Sequence, residues 1–372
     1  MDDSPDDGEA GPEDWRWQLR HAVRDVAGLR QHLRLTPAEE EGLARATSAG
    51  LPLQLTPYYL GLLAPDDPTC PIRRQVVPVA AEAVTVPGDM SDPLGEEAHE
   101  VSPGLIQRYP DRALLVATDQ CAIYCRFCTR SRVVGGGAGP MPPADFERAL
   151  GYLREHPEIR DVIVSGGDPL AMTTRRILAL VESLRAIPHV EVIRLATRVP
   201  VCLPQRIDDE LVGALRPHHP LWVMTHFNHP AELTEQASAA VARLVDGGFP
   251  VMNQTVLLAG VNDDAHTLET LFRGLVRLRV KPYYLLQMDP AKGTAHLRTP
   301  LAKGLEIMGA LQGRVSGIAL PKLIVDTPGG MGKVPLAESP IVERSPGRTV
   351  LRTHRGVEVT YLDPPPPDPQ DA

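Results

Sequence analysis

The chain has 372 residues, 43% of them hydrophobic and 23% charged, a balance that fits a folded globular protein and excludes a disordered one. A formal net charge of −9 disfavours a broad grip on nucleic-acid phosphates, so small-molecule partners are expected. The acidic opening MDDSPDDGEAGPED lacks the basic start and apolar core of a signal peptide, and no long apolar run follows, so the expectation is a cytoplasmic protein with no membrane contact.

Residues 1–14 read as a loose acidic lead, and the stretch after them has helical apolar spacing with a Thr36-Pro37 helix start. The whole of residues 1–100 is read as a helical, turn-rich region without a reaction centre. From Ala113 the pattern changes to short apolar runs: ALLVAT, DVIVSG, EVIRLAT, LWVMTHF, VMNQTVLL, KPYYLLQ and a last one near GIALPKLIV. Helix-length amphipathic stretches fall between them, near 143–155, 173–187, 231–246, 264–279 and 301–312. Such alternation predicts an α/β fold of parallel strands with crossover helices. About six βα units favour a partial TIM-like (β/α)6 barrel over residues 101–330 rather than a doubly wound sheet. Residues 331–372 form a C-terminal loop and extension, ending in PPPPDPQDA, a tail that reads as an extended end without catalytic work.

Five cysteines are present, and Cys121, Cys125 and Cys128 fall within CAIYCRFCTRSR, directly after the first apolar run. Three thiolates so spaced suit metal ligation in a reducing compartment better than a disulfide framework. They can hold three irons of a [4Fe-4S] cube and leave the fourth open to a small chelating molecule, whereas electron-transfer cubes employ four cysteines. A Cys3His zinc site is the alternative, because histidines occur later in the chain. Cys70 and Cys202 read as ordinary buried thiols. The CxxxCxxC motif resembles the radical S-adenosylmethionine superfamily, in which the methionyl amine and carboxylate chelate the open iron. Ser165, Gly166, Gly167 and Asp168 of SGGDP resemble that superfamily's second signature, and paired glycines permit close backbone approach to a ligand.

All five lysines lie in the last quarter of the sequence, and Lys333 alone follows a glycine-rich turn, in VDTPGGMGKVP. Such a turn can bring amides near an anion, and a lysine amine there can join the carbonyl of pyridoxal 5'-phosphate. A plain exposed turn with a solvated lysine is the competing reading.

Across the chain, DWRW, LTPYYL, DPTCPIR, QRYPD, CRFCTRSR, SGGDPL, THFNHP, NQTVLLAGVND, PYYLLQMD and VDTPGGMGKVP occur in the order seen in lysine 2,3-aminomutase, a resemblance spanning about residues 14 to 335. The resemblance implies a partial-barrel enzyme that uses a [4Fe-4S] cluster, S-adenosyl-L-methionine and pyridoxal phosphate to move an α-amino group to the neighbouring carbon. By position in that pattern, Lys333 is the cofactor lysine and Arg130 the partner of the substrate carboxylate. Asp289 and Asp326 are the acidic pair for the cationic tail. His226 and Gln254 are expected near the adenosyl group, and Arg108 or Arg112 at the cofactor phosphate. Phe127 replaces the family's usual histidine, which keeps stacking beside the adenine and loses a polar contact.

The resemblance fails where larger relatives carry GVNDC and later cysteines for a structural zinc. This chain has Asp264 at that place and no cysteine after Cys202, so no structural zinc is expected. The expected partners are a free cationic amino acid, a reducing electron donor and further copies of the chain in a homo-oligomer, with no nucleic acid. L-Lysine is the leading substrate, with L-arginine as the alternative and a lysine on another protein as a minority reading. A noncatalytic iron-sulfur interaction protein and a nonradical nucleotide-binding enzyme are the readings from other classes.

Overall fold

The computed structural model describes residues 11–49 and 52–364, so the expectations for the first ten residues and for most of the proline-rich tail lie outside the described residues. A ten-stranded sheet runs in simple sequence order: β1 (Glu100–Ser102), β2 (Leu105–Tyr109), β3 (Arg112–Thr118), β4 (Asp161–Gly166), β5 (Val192–Ala196), β6 (Leu221–Thr225), β7 (Val251–Leu257), β8 (Lys281–Gln287), β9 (Lys322–Asp326) and β10 (Lys333–Leu336). Strands β3 to β9 are parallel, while β1 and β2 on one side and β10 on the other pair antiparallel. The row does not close on itself, which makes it a partial barrel.

Six crossovers join the parallel strands, through helices Pro143–Glu155, Thr174–Arg185, Asp209–Leu215, Glu235–Asp246, Ala265–Arg277 and Leu301–Leu311. Their amphipathic spacing is what packs them on the outside. In Ala265–Arg277, for example, Leu268, Leu271, Phe272 and Leu275 form one buried stripe, and Asp264 caps the start by accepting from Thr267 N at 2.9 Å. Asp264 at the GVNDD position is thus a helix cap. Five of the six helices were legible from period and length. The helix Asp209–Leu215 was not, because seven residues after a proline-rich connection carry too little period. The antiparallel strands β1, β2 and β10 were missed too, as was a separate three-stranded sheet of β11 (Ile341–Ser345), β12 (Arg348–Arg352) and β13 (Glu358–Leu362).

Pleating divides the strand residues between two environments. Ala113, Leu115 and Ala117 of β3, Val162 and Val164 of β4, and Ile193 and Leu195 of β5 are buried in the apolar core. Their alternates Leu114, Ile163, Ser165, Arg194 and Ala196 instead line an internal cavity.

The N-terminal helices are tied together by a buried ion pair. Thr36 and Glu39 form a capping box at helix Pro37–Ala49. Both oxygens of Glu39 also accept from Arg73, at 2.7 Å each, while Arg73 donates to the carbonyls of Arg34, Ala64 and Pro65. Arg73 and Glu39 are both almost wholly buried. Glu39→Ala should therefore destabilise the fold by about 3–5 kcal/mol, because it strands a buried guanidinium, and Glu39→Gln should cost less; denaturant titration reads the difference.

Candidate active site

The cavity has a volume of about 670 Å³ and is lined by strands of the sheet and by loops that follow the carboxyl ends of the parallel strands. Its wall includes Cys121, Cys125 and Cys128 from the loop after β3, the SGGDP turn after β4, His226 after β6, Gln254 on β7, Asp289 after β8, and Asp326 and Lys333 from β9 and β10. Arg108 and Arg112 from β2 and β3, Phe127 and Arg130 also line it. Every residue singled out from the sequence thus reaches one space.

The cysteine loop is held from the N-terminal region. Gln54 donates to the Cys121 carbonyl at 2.5 Å, Arg126 N to the Gln75 carbonyl at 2.8 Å, and the Arg126 side chain pairs with Glu82. Burial pushes the thiols of Cys121 and Cys128 up, the latter to about 11. Among the described residues no three His, Cys, Asp or Glu side chains gather closely enough for a single metal ion. The cysteines of a cube each bind a different iron, a wider arrangement than one ion needs.

Arg198, which the sequence reading passed over, donates to Cys125 Sγ at 2.7 Å. Its other terminal nitrogen reaches Gln75 Oε1 at 2.6 Å, Glu232 Oε1 at 2.7 Å and Tyr59 Oη at 3.1 Å. The signal was available, since TRVP follows β5 as SGGDP follows β4. Asp168 makes the adjoining tie: its carboxylate accepts from Thr197 Oγ1 at 2.7 Å, Arg198 N at 2.6 Å and Leu170 N at 3.0 Å. Although expected among the cofactor contacts, it spends its oxygens within the chain.

The paired glycines also serve the chain first. A Cβ at Gly166 would lie 2.3 Å from Thr118 O, and one at Gly167 would lie 2.2 Å from Gln120 O. The SGGDP turn therefore lies against the backbone leading into Cys121, with Gly167 N donating to Thr118 O at 2.6 Å. On the far side, His226 packs 5.4 Å from Phe127. Burial, assisted by the charge of Arg198, pushes the His226 pKa down to about 3, so the ring is neutral. The buried His226 Nε2, Thr225 Oγ1 and Arg198 Nε have no hydrogen-bond partner among the described residues, leaving polar atoms at the cavity for a ligand to satisfy.

Charges of opposite sign meet at both ends of the remaining space. Arg130 Nε donates to Glu96 Oε1 at 2.8 Å and Oε2 at 3.1 Å, and Nη1 to Ser165 Oγ at 3.1 Å. Glu96 lies in the region read from sequence as having no reaction centre, and it was missed for that reason. Opposite, Asp326 accepts from Arg108 Nη2 at 2.6 Å and pairs with Lys333, its direct register partner across the β9–β10 hairpin. Lys333 N donates to Tyr109 Oη at 3.0 Å. Arg112 lies 3.8 Å above the Tyr109 ring and pairs with Asp111 at 2.8 Å. Asp289 makes no side-chain hydrogen bond or ion pair among the described residues.

Burial, with Asp326 nearby, pushes the Asp289 carboxyl up to about 7. A carboxyl with a raised folded-state pKa stabilises the fold fully below its unfolded pKa, and that contribution disappears as pH rises through the folded value. Thermal melts of ligand-free protein should fall between pH 5.5 and 8 on account of this group. Asp289→Asn should flatten the fall and melt above the parent at pH 8; equal slopes for the two proteins would contradict the assignment.

Comparison with known proteins adds the relationship. A family profile described as Lysine-2,3-aminomutase matches residues 308–372, and one described as Radical SAM superfamily matches residues 115–271. The chain is 45% identical over 359 residues to L-lysine 2,3-aminomutase of Clostridium subterminale, covering 96% of this chain and 86% of that protein. It is 39% identical over 356 residues to glutamate 2,3-aminomutase of Clostridioides difficile, covering 95% and 84%. Among solved structures, a radical SAM methyltransferase from Sphaerobacter thermophilus aligns with a TM-score of 0.43 at 20% identity, over 60% of this chain and 68% of that one. Similarity of this extent to the curated aminomutases means that the chain belongs to the lysine 2,3-aminomutase family within the radical SAM superfamily.

Proposed function

We propose that this chain is a 2,3-aminomutase that converts free L-lysine to its β-amino isomer. The observation that carries the substrate reading is the pairing of an arginine clamp with a partnerless carboxylate. Glu96 holds Nε and Nη2 of Arg130 and Ser165 holds Nη1, which leaves further N–H groups of the guanidinium at the cavity, and Asp289 has no hydrogen-bond or ion-pair partner among the described residues. A substrate with a carboxylate at one end and a cation at the other satisfies both. An acidic tail would add a third negative group beside Asp289 and Asp326.

Membership in the family implies a [4Fe-4S] cluster, S-adenosyl-L-methionine and pyridoxal phosphate. When bound, these supply a carbon radical that removes a β-hydrogen and an imine nitrogen that can migrate between neighbouring carbons. Cys121, Cys125 and Cys128 would hold the cluster, with Arg198 donating to a sulfur. His226, Gln254 and Phe127 would border the adenosyl group, with the partnerless Nε2 of His226 available to it. Lys333 would carry pyridoxal phosphate on its amine. Of the two arginines considered for the phosphate, Arg112 is the better candidate, because Arg108 is committed to Asp326 and the Leu94 carbonyl. Arg130, Asp289 and Asp326 bind and orient the amino acid, and the N-terminal region and barrel wall keep water from the reacting carbons.

Borohydride reduction of protein loaded with pyridoxal phosphate should fix the adduct at Lys333, located by peptide mass mapping; recovery of the adduct mainly at another lysine would remove Lys333 from this role. With reconstituted protein under anaerobic conditions, a panel of lysine, arginine, glutamate and a short lysine-containing peptide, resolved by chiral chromatography, should show isomerisation of lysine above all others. Asp289→Asn should lower kcat/KM for lysine by about two orders of magnitude while cluster content stays unchanged. Preferential conversion of glutamate would overturn the charge argument.

A further inference from the structure

Residues 90–97, MSDPLGEE, form a short strap that touches each element carrying an end of the proposed substrate site. Next to Asp289, Met90 N donates to Pro290 O at 2.8 Å and Lys292 N donates back to Met90 O at 3.0 Å. Ahead of Lys333, Gly329 N donates to Pro93 O at 3.0 Å. The two backbones meet without room for a side chain. A Cβ at Gly95, whose φ is +61°, would lie 2.6 Å from Gly329 O, and one at Gly330 would lie 2.5 Å from Leu94 O. Leu94 O accepts from Nη1 of Arg108, whose Nη2 holds Asp326. Finally Glu96, 5% exposed, bridges Arg130 and Arg132, with Arg132 Nη2 at 3.3 Å from Oε2.

We propose that this strap, anchored by Glu96 on Arg130, is the frame that sets the distance between the carboxylate clamp and the cation pocket, and so the tail length the enzyme accepts. The proposal rests on the substrate reading given above for Arg130, Asp289 and Asp326. Glu96 touches no substrate in this scheme; it is a positioning residue. An unpinned arginine has enough rotamer freedom to follow a shorter or longer ligand. Glu96 on Nε and Ser165 on Nη1 remove that freedom and leave the remaining donors in one orientation. The cation pocket is referred to the same strap through Met90, Pro93 and Leu94, so neither end shifts without the other. In a site of fixed length, one missing methylene is worth about 10- to 200-fold in discrimination.

The test compares fully reconstituted wild type, Glu96→Gln and Gly95→Ala, with cluster and pyridoxal phosphate content measured for each. Steady-state constants are taken for L-lysine and for L-ornithine, which is one methylene shorter. In Glu96→Gln, KM for lysine should rise on the order of tenfold with kcat changing by less than about threefold, the pattern of a lost binding orientation. The lysine-to-ornithine ratio of kcat/KM should fall by about tenfold in this variant and also in Gly95→Ala, which displaces the strap without removing a charge. General loosening of the fold would lower both substrates together and leave the ratio unchanged. A ratio within about twofold of wild type in both variants, with lysine still turned over, overturns the frame. Wild-type protein that is fully loaded yet isomerises neither amino acid overturns the substrate reading, and the frame with it.

Discussion

Charge placed inside a half-closed barrel has to find a partner, and the arrangement of this site follows from that need. Removing an ion from water costs several kcal/mol unless an opposite charge and further hydrogen bonds compensate it. Here Arg130 faces Glu96, Arg198 faces Glu232, Arg194 faces Asp161, and Asp326 sits between Arg108 and Lys333. Asp289 stands outside these pairs, and its raised pKa shows what isolation does to a buried carboxyl. With a pKa of about 7 it is only partly ionised near neutral pH, and a neighbouring cation would favour its charged form. A buried carboxyl without a partner costs the ligand-free fold some stability and suits a positively charged ligand, the compromise between stability and function expected of a binding site.

The sheet makes this arrangement possible because residues of its strands line an internal cavity. In β3, β4 and β5 alternate residues enter the apolar core or face the cavity, whose wall includes Ser165 and Arg194, together with Gln254 from β7. Closure is avoided by adding antiparallel strands at both edges. The β9–β10 hairpin has a chemical consequence as well, since its register sets Lys333 directly opposite Asp326. Lys333 therefore pairs with Asp326, in the place proposed for a substrate's cationic tail.

The N-terminal region contributes more than cover. Tyr59 and Gln75, together with Glu232 from the barrel, orient Arg198, while Gln54 and Glu82 hold the loop of Cys121 to Cys128. The buried Arg73–Glu39 pair stiffens the platform from which those contacts reach. The cysteine loop and the N-terminal region are consequently tied by side-chain contacts.

Much of this was legible in local sequence. Parallel strands and their longer helices follow from periodicity, which depends on near neighbours, and the spacing of Cys121, Cys125 and Cys128 is itself a local property. The glycines before Lys333 and in SGGDP announced sharp turns by composition alone. The resemblance to a known family named Arg130, Asp289, Asp326 and Lys333, and the fold brings them to one cavity. What the tertiary structure alone decided is the pairing of charges. Glu96 lies 34 residues from Arg130, and Arg108 lies 218 from Asp326; no periodicity connects such positions. Asp168 was expected at a ligand because SGGDP resembles a superfamily signature, and in the fold its carboxylate accepts from Thr197 and Arg198 after β5 and from Leu170 in its own turn. Short elements such as Asp209–Leu215 and β10 were illegible for the same reason, since long-range packing and not local period holds them in place.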